Sequence, residues 1–517
     1  MAVKLFAAID VGSHDVEMCI YQITSKSGIK LVDRLRQSIA VGHESYTRGR
    51  ISYEYIGDLC RIIAGYAQIM KQYNITEYKA YGTSALREAV NREIVLDQIR
   101  IRTGIVVTVL NNAEQRFLCY KAIAAKQKEF SEVIKKGTMI VEVGSGRTQL
   151  SIFDEGQLQV TQSLKIGALR AKEILLQMRP DETQEHAKLM IEEIVDRDIQ
   201  SYKRLFMKDR KNSTVTLIMT GICAQFIRKQ ALMKMPQNIF LTIDEFNTIY
   251  NEVTAFSAFD LSKRMDISID YAYLMLPSVM IFRKIIALTG AQRLMVPGVT
   301  LADGMVSEYA LDNKLVRFDH DFNADIISAV RSIASRYRSN QKHARSLESL
   351  SLAIFDSMKK LHGLTRKERL LLQLSCILHD IGKFVSMSDQ ADCSYYIIMS
   401  TEIIGLSTAE RRTLANVVKY YHEDFDYEVL QDEGVERRNV VAKLVAILKV
   451  AGVLDRSHKQ KIGNIRCDIK DDKLVITSDT PNDLTLEQLM LPSRAEFFEE
   501  VYGIRPVLRK KRVTTKN

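Results

Sequence analysis

Hydrophobic positions alternate with polar ones, or run continuously, through KLFAAIDVGS, VEMCIYQI and KLVDRLRQSIA near the start of the chain, and Gly, Ser or Lys closes each run. This pattern predicts three short strands joined by tight turns. From Ser52 to about Tyr73 the period lengthens: Ile56, Leu59, Ile63, Ala67 and Met70 recur at helical spacing and predict an amphipathic helix. A strand around YKAYGTSALR, a helix over REIVLDQIRIRTG and a strand over IVVTVL complete this first pattern.

A similar programme begins again at TMIVEVGSGRTQLSIFDEGQLQVTQSLKIG. Asp10-Val11-Gly12-Ser13 and Glu142-Val143-Gly144-Ser145-Gly146 fall in equivalent strand-to-strand turns, so an internal structural repeat is expected without measurable sequence identity. From about Asp319 to about His458 helical patterns dominate; in SLESLSLAIFDSMKKLHG, Leu347, Leu350, Ile354, Met358 and Leu361 make one apolar face. KLVITS and RAEFFEEVYG then mark a small mixed region. The expected fold class is α/β plus α: a two-lobed core with lobes at 1–117 and 118–310, an all-helical domain at 311–460 and a small α+β domain at 461–517.

Length and composition narrow the class. A chain of 517 residues is too long for one core, and 46% hydrophobic, 26% charged residues and only 7 Pro describe an ordinary globular protein. The 7 Cys are scattered, odd in number and free of zinc-finger spacing, which points to a reducing compartment. MAVKLFAAIDVGS meets an acid too early for a signal-peptide core, and LMLPSVMIF and LVAILKVAGVL are about half of a membrane span, so a cytoplasmic protein with buried apolar helices and no membrane partner is expected. The formal charge of +10 favours polyanionic partners without choosing among them. RSIASRYRSNQKHAR (331–345) and the tail RPVLRKKRVTTKN (505–517) concentrate Lys and Arg with no acid.

Gly-containing turns between strands bring backbone N–H groups close to phosphate oxygens. DVGS alone is a weak signal; DVGS together with VEVGSGRTQL, about 130 residues later, suggests a phosphate chain held between two such turns.

The stretches AAIDVGSHDVEM, YGTSALREAVN, LNNAEQRFLCY, VEVGSGRTQLSIF, KIGALR, IMTGICA and PGVTLADGM, in this order and followed by LSCILHDIGK, make the chain resemble the exopolyphosphatase/guanosine pentaphosphate phosphatase (Ppx/GppA) family over nearly its full length. The resemblance implies an actin-like (ASKHA, ribonuclease H-like) core and an HD-like helical domain. It also implies a cytoplasmic hydrolase that cleaves terminal phosphoanhydride bonds with Mg²⁺ in the cleft. Its substrate would be inorganic polyphosphate or guanosine pentaphosphate, and the helical domain with a basic stretch, along which a long anion can lie, puts polyphosphate first. By the same resemblance Glu114 is the catalytic base and Arg87 a phosphate-binding arginine, although on their own residues they read as a first-turn helix acid and a surface ion-pair partner. Asp10 and Glu142 would hold Mg²⁺, and Glu142 and Gln149 stand at catalytic positions of the second loop. Phosphate would meet Gly12, Ser13, His14, Gly144, Ser145, Gly146, Arg147 and Thr148, with Gly221 on the cleft floor.

The departures are Ala113 for an acid, Glu142 for Asp, Arg147 for Ser, and Gln149 for a carboxylate, where an amide cannot serve as base. They keep open a weakened, ligand-binding regulator beside the hydrolase; a sugar or acetate kinase is a third reading. In the helical domain His343, His379, Asp380 and His422 follow the HD order, while Cys393 and Gly452 stand where a His and an acid are usual. Both a metal site and an inert HD-like scaffold remain open there. A homodimer is left open beside a monomer, and no specific nucleic acid partner is expected.

Overall fold

The computed structural model describes residues 3–24, 28–127, 129–175, 184–207, 214–232, 239–428 and 430–510. Two compact units divide the chain, Met1–Phe322 and Asn323–Asn517. The ranges 1–117 and 118–310 thus share the first unit, and the helical and small mixed stretches share the second.

The first unit holds two sheets built on one plan. Strands β1 (Lys4–Val11), β2 (Asp15–Thr24), β3 (Gly28–Ser38), β4 (Tyr78–Gly82) and β5 (Thr108–Val109) are ordered β3-β2-β1-β4-β5. Pairing of β1 is antiparallel to β2 and parallel to β4. The second sheet repeats this with β6 (Thr138–Val143), β7 (Thr148–Asp154), β8 (Gln157–Leu164), β9 (Thr216–Thr220), β10 (Phe240–Leu241) and β11 (Arg293–Met295), ordered β8-β7-β6-β9-β11-β10. Again the first strand is antiparallel to the next and parallel to the one reached by a helical crossover. The repeat inferred from the two turns is therefore an architectural one, and the unit is the two-lobed actin-like core.

Each sheet is buried by helices, of which the sequence period foretold Tyr53–Gln72. Helix Tyr53–Gln72 starts at Ser52, whose hydroxyl accepts from Tyr55 N–H, and lays Ile56, Leu59, Ile63 and Met70 on the first sheet. Leu118 of helix Asn112–Lys126 and Met305 and Val306 of helix Leu301–Asp312 join the core on the opposite face. Helix Ile269–Thr289 is long and apolar enough to cross a membrane, yet Tyr271, Leu274, Met275, Phe282 and Ile285 are buried in the core of the second lobe.

The second unit runs from helix to helix up to Val435–Leu454, then closes with a sheet of β12 (Ile465–Lys470), β13 (Lys473–Ser478) and β14 (Arg505–Lys510) crossed by helix Thr485–Tyr502. Two expectations change. IVVTVL contracts to the two-residue β5, paired with Tyr81 and Gly82. Helix Gln341–Ser357 ends at Met358, whose non-helical backbone (φ −99°, ψ 13°) starts a new short helix, so Leu361 leaves the apolar face and is 42% exposed. Residues 511–517 of the basic tail lie outside the described residues.

Candidate functional site: a carboxylate cleft between two matching turns

The two predicted turns have the same hydrogen bond. Gly12 N donates to Asp15 O, and Gly144 N to Arg147 O, both at 2.9 Å. The following helices repeat the match: Gly42 N donates to Ser13 O at 2.7 Å, and Leu169 N to Ser145 O at 2.9 Å. Gly221, at the end of β9, has φ +105°, and a Cβ there would lie 2.3 Å from Val143 O, so the third turn accepts only Gly beside the second loop. These turns line a cavity of about 120 Å³.

Its floor carries an unusual density of carboxylates. Asp10 lies opposite Glu17 in the β1–β2 register, and Glu142 opposite Gln149 in β6–β7. Asp10 Oδ1 and Glu142 Oε2 are buried and meet no hydrogen-bond partner in the structure. Burial, then the charges of Asp15 and Glu17, hold the Asp10 carboxyl well above the usual carboxylate range. Burial also raises Glu142, against the amide of Gln115 and the charges of Arg116 and Arg87. By contrast, Glu17 is bridged by Arg36 at 2.5 Å, and Asp15 is engaged by Tyr271 OH and Arg36. Both nitrogens of His14 lack partners, its ring packs edge-on against Tyr271 at 5.0 Å, and burial lowers its pKa, so the imidazole is neutral at pH 7.

Most of the expected residues converge here. Asp10, Gly12, Ser13, His14, Arg87, Glu142, Gly144, Ser145, Gly146, Arg147, Gln149 and Gly221 all line the cavity. Arg87 is anchored by Leu110 O at 2.7 Å. Arg147 faces the cavity but pairs with Glu88 at 3.4 Å, a carboxylate it shares with Arg170 at 2.6 Å. Gln149 accepts from Arg116 Nε at 2.9 Å and is thereby turned to a buried guanidinium rather than to solvent.

Two of the expected residues are not among the lining side chains. Thr148 is fully buried and its hydroxyl donates to Ile166 O at 2.6 Å, so its side chain is spent on the fold and does not line the cavity. Glu114, expected as the base, forms the capping box of helix Asn112–Lys126: its Oε2 accepts from Asn111 N at 2.9 Å while Asn111 Oδ1 receives Glu114 N–H. It is not a lining residue; the next residue, Gln115, is, and its amide donates to Glu142 Oε1 at 2.9 Å. Glu114→Ala should therefore cost about 1 kcal/mol of stability through the lost cap, read by thermal unfolding, and leave turnover close to that of the unaltered protein.

Glu17, Arg36, Thr83, Ser84 and Gln115 were missed as site residues. The signal for Glu17 was present: it shares a strand face with Asp15 by the period of two. Gln115 was not separable from Glu114 by sequence, because a first-turn acid suits either a cap or a cleft.

In the second unit His343, His379 and His422 line one cavity, but Asp380 is tied to Ser339 Oγ and to Asn340 N. His343 Nδ1 hydrogen-bonds Asp455 at 2.8 Å, and His422 Nε2 donates to His379 O at 2.6 Å. Among the described residues no three His, Cys, Asp or Glu side chains are placed to hold a metal ion together. His343, His379, Asp380 and His422 are thus not gathered into a metal-type cluster among the described residues, with Asp380 turned to Ser339 and Asn340.

Two matching Gly turns, carboxylates beneath them and Arg87 beside them define a polar cleft in a core of the actin-like fold. Residues 19–313 match the Ppx/GppA phosphatase family and residues 327–492 match Ppx/GppA phosphatase, domain III; the chain belongs to this family of phosphoanhydride hydrolases. A guanosine-5'-triphosphate,3'-diphosphate pyrophosphatase of Photobacterium profundum is 20% identical over 481 residues, covering 92% of this chain and 91% of that protein. One of Aeromonas hydrophila is 19% identical over 484 residues, covering 92% of each. Among solved structures, an exopolyphosphatase from Cytophaga hutchinsonii is similar with a TM-score of 0.52 and 17% identity, over 60% of this chain and 98% of that one. The Aquifex aeolicus Ppx/GppA family member has a TM-score of 0.50 and 20% identity, over 62% and 100%.

Proposed function

We propose that the cleft releases orthophosphate from the end of inorganic polyphosphate, with Glu142 as general base and Mg²⁺ held by Asp10. The observation that carries this reading is the pair of buried carboxylate oxygens, Asp10 Oδ1 and Glu142 Oε2, left without partners in the cavity that the two Gly turns line. A hard divalent ion that takes one or two carboxylates and completes its shell with water and phosphate oxygens fits this donor set. When bound, Mg²⁺ supplies neutralisation of charge on the phosphoryl oxygens. The chain's own groups do the rest. Backbone N–H groups of the two turns and Arg87 orient the terminal phosphate, and Ser13 and His14 stand at the first turn. Glu142 Oε2, made more basic by burial, takes the proton of the attacking water. Gln115 fixes the other oxygen of the same carboxylate and so sets its rotamer.

Polyphosphate is favoured over guanosine pentaphosphate because the described lining contains no Phe or Tyr ring on which a guanine could stack. A second reading, ligand binding without turnover, is favoured by the amides Gln115 and Gln149, both engaged at this floor where carboxylates would strengthen the site. Orthophosphate release from long-chain polyphosphate and from guanosine pentaphosphate, each across a Mg²⁺ titration, separates these readings. Faster release from polyphosphate is expected; binding of polyphosphate with no release from either substrate would leave the second reading.

A further inference from the structure

The cleft of the first unit contains a cation that the mechanism above does not use. Arg147 follows the second Gly turn and lines the cavity, and among the described residues its guanidinium makes one bond, Nε to Glu88 Oε1 at 3.4 Å. That is longer than a charge-assisted N–H···O bond usually is, and it leaves both terminal nitrogens of the fork available to an anion. The other oxygen of the same carboxylate is held differently. Arg170 Nη2 donates to Glu88 Oε2 at 2.6 Å, Arg170 Nε donates to Gly146 O at 3.1 Å, and the guanidinium lies 4.6 Å from the ring centre of Tyr46. Arg170 is therefore fixed at three points and pins Glu88, whereas Arg147 rests on the carboxylate loosely.

The charges do not cancel. Two guanidiniums share one carboxylate, and the side chains of Arg147, Glu88 and Arg170 are only 18%, 24% and 23% exposed, so water screens them less than it screens ions on an open surface. An anion that takes the fork of Arg147 comes within reach of the Glu88 charge, which repels it and competes for the same guanidinium. Glu88 thereby offsets part of the attraction that the two arginines exert on anything bound in the cavity. For an enzyme whose product is itself a phosphate, that offset limits how long the product stays.

We infer that Glu88 is a positioning residue acting through Arg147: it steadies the guanidinium at the cavity wall and weakens its hold on orthophosphate, so that the product leaves. This rests on the cleft being a phosphate site, as proposed above.

Calorimetric titration of the full-length protein with orthophosphate at pH 8 and fixed Mg²⁺ reads this role without any turnover. Glu88→Gln should bind orthophosphate roughly tenfold more tightly than the unaltered protein, and the gain should shrink as salt is raised. Glu88→Asp keeps the charge and should stay close to the unaltered affinity. Glu88→Ser removes it without offering the arginines an amide, and should move in the same direction as Glu88→Gln. In an Arg147→Gln background, replacing Glu88 by Gln should gain less than about threefold, because the two residues are coupled. With polyphosphate as substrate, KM and the inhibition constant of orthophosphate should fall together in Glu88→Gln while kcat does not rise. Unchanged or weaker orthophosphate binding in Glu88→Gln and Glu88→Ser, or an equal gain with Arg147 replaced, would overturn the inference and leave the phosphate cleft standing. Absence of orthophosphate binding in the unaltered protein and in every variant would remove the cleft reading and this inference together.

Discussion

Orthophosphate release from polyphosphate falls by a factor on the order of 10³ when Glu142 is replaced by Gln, while polyphosphate binding is retained. The amide preserves the shape of the side chain, and rotation of either the introduced amide or that of Gln115 maintains a hydrogen bond between the two. What is lost is the basic oxygen, Oε2, which in the unaltered protein is buried without a partner. Initial rates with long-chain polyphosphate, together with calorimetric titration, read the two effects separately. Near-normal turnover in Glu142→Gln would remove the base from this position and return the role to Glu114, despite its place in the helix cap.

Asp10→Asn should act on stability and on metal dependence in opposite directions. The native carboxyl is held above its ordinary value of 3.8, so in the window from that value up to the raised one the folded chain binds more protons than the unfolded chain. Stability therefore falls as pH rises through this window and stays lost above it. At pH 7 to 8 without Mg²⁺ the Asn variant should melt ~1–3 °C higher, since it no longer ionises a buried group and each tenfold difference in proton affinity between folded and unfolded chain is worth about 1.4 kcal/mol. Added Mg²⁺ should raise the melting temperature of the unaltered protein and not that of the variant, and Mg²⁺-dependent turnover should drop about a hundredfold. An unchanged Mg²⁺ response in calorimetry would show that Asp10 only shapes its turn.

The fold was legible where local pattern and tertiary burial agree. The meander strands, the helix closed by Ser52 and the repeat of DVGS as EVGS each express a period that the folded sheet then buries. IVVTVL misled because its apolar run fills loop and core positions around a two-residue strand, and burial without ladder pairing leaves the same imprint on sequence. Leu361 was misplaced by a break at Met358 that no Gly or Pro announces. The cleft was legible through its turns, whose glycines answer to backbone geometry. The side chains above those turns were less so: Glu114 and Gln115 are one residue apart on a helix, a rotation of about 100°, and only the docking of that helix decides which of them meets Glu142. Thr148, in the middle of a matching motif, was lost to the cleft through a single bond to Ile166 O.

Beside the first turn, Ser13 Oγ, Tyr46 OH and Ser84 Oγ lie 2.7–2.8 Å from one another, and Ser13 Oγ also accepts Ala85 N–H at 3.2 Å. Three hydroxyls in a closed ring have two senses of circulation, and each member changes from donor to acceptor by turning one hydrogen. An acceptor oxygen arriving at Ser13 or Ser84 draws one hydrogen out of the ring, and the other two reorient in concert while every heavy atom stays in place. The first turn thereby changes which of its hydroxyls donates by proton rotation alone, faster than any movement of the backbone that carries them.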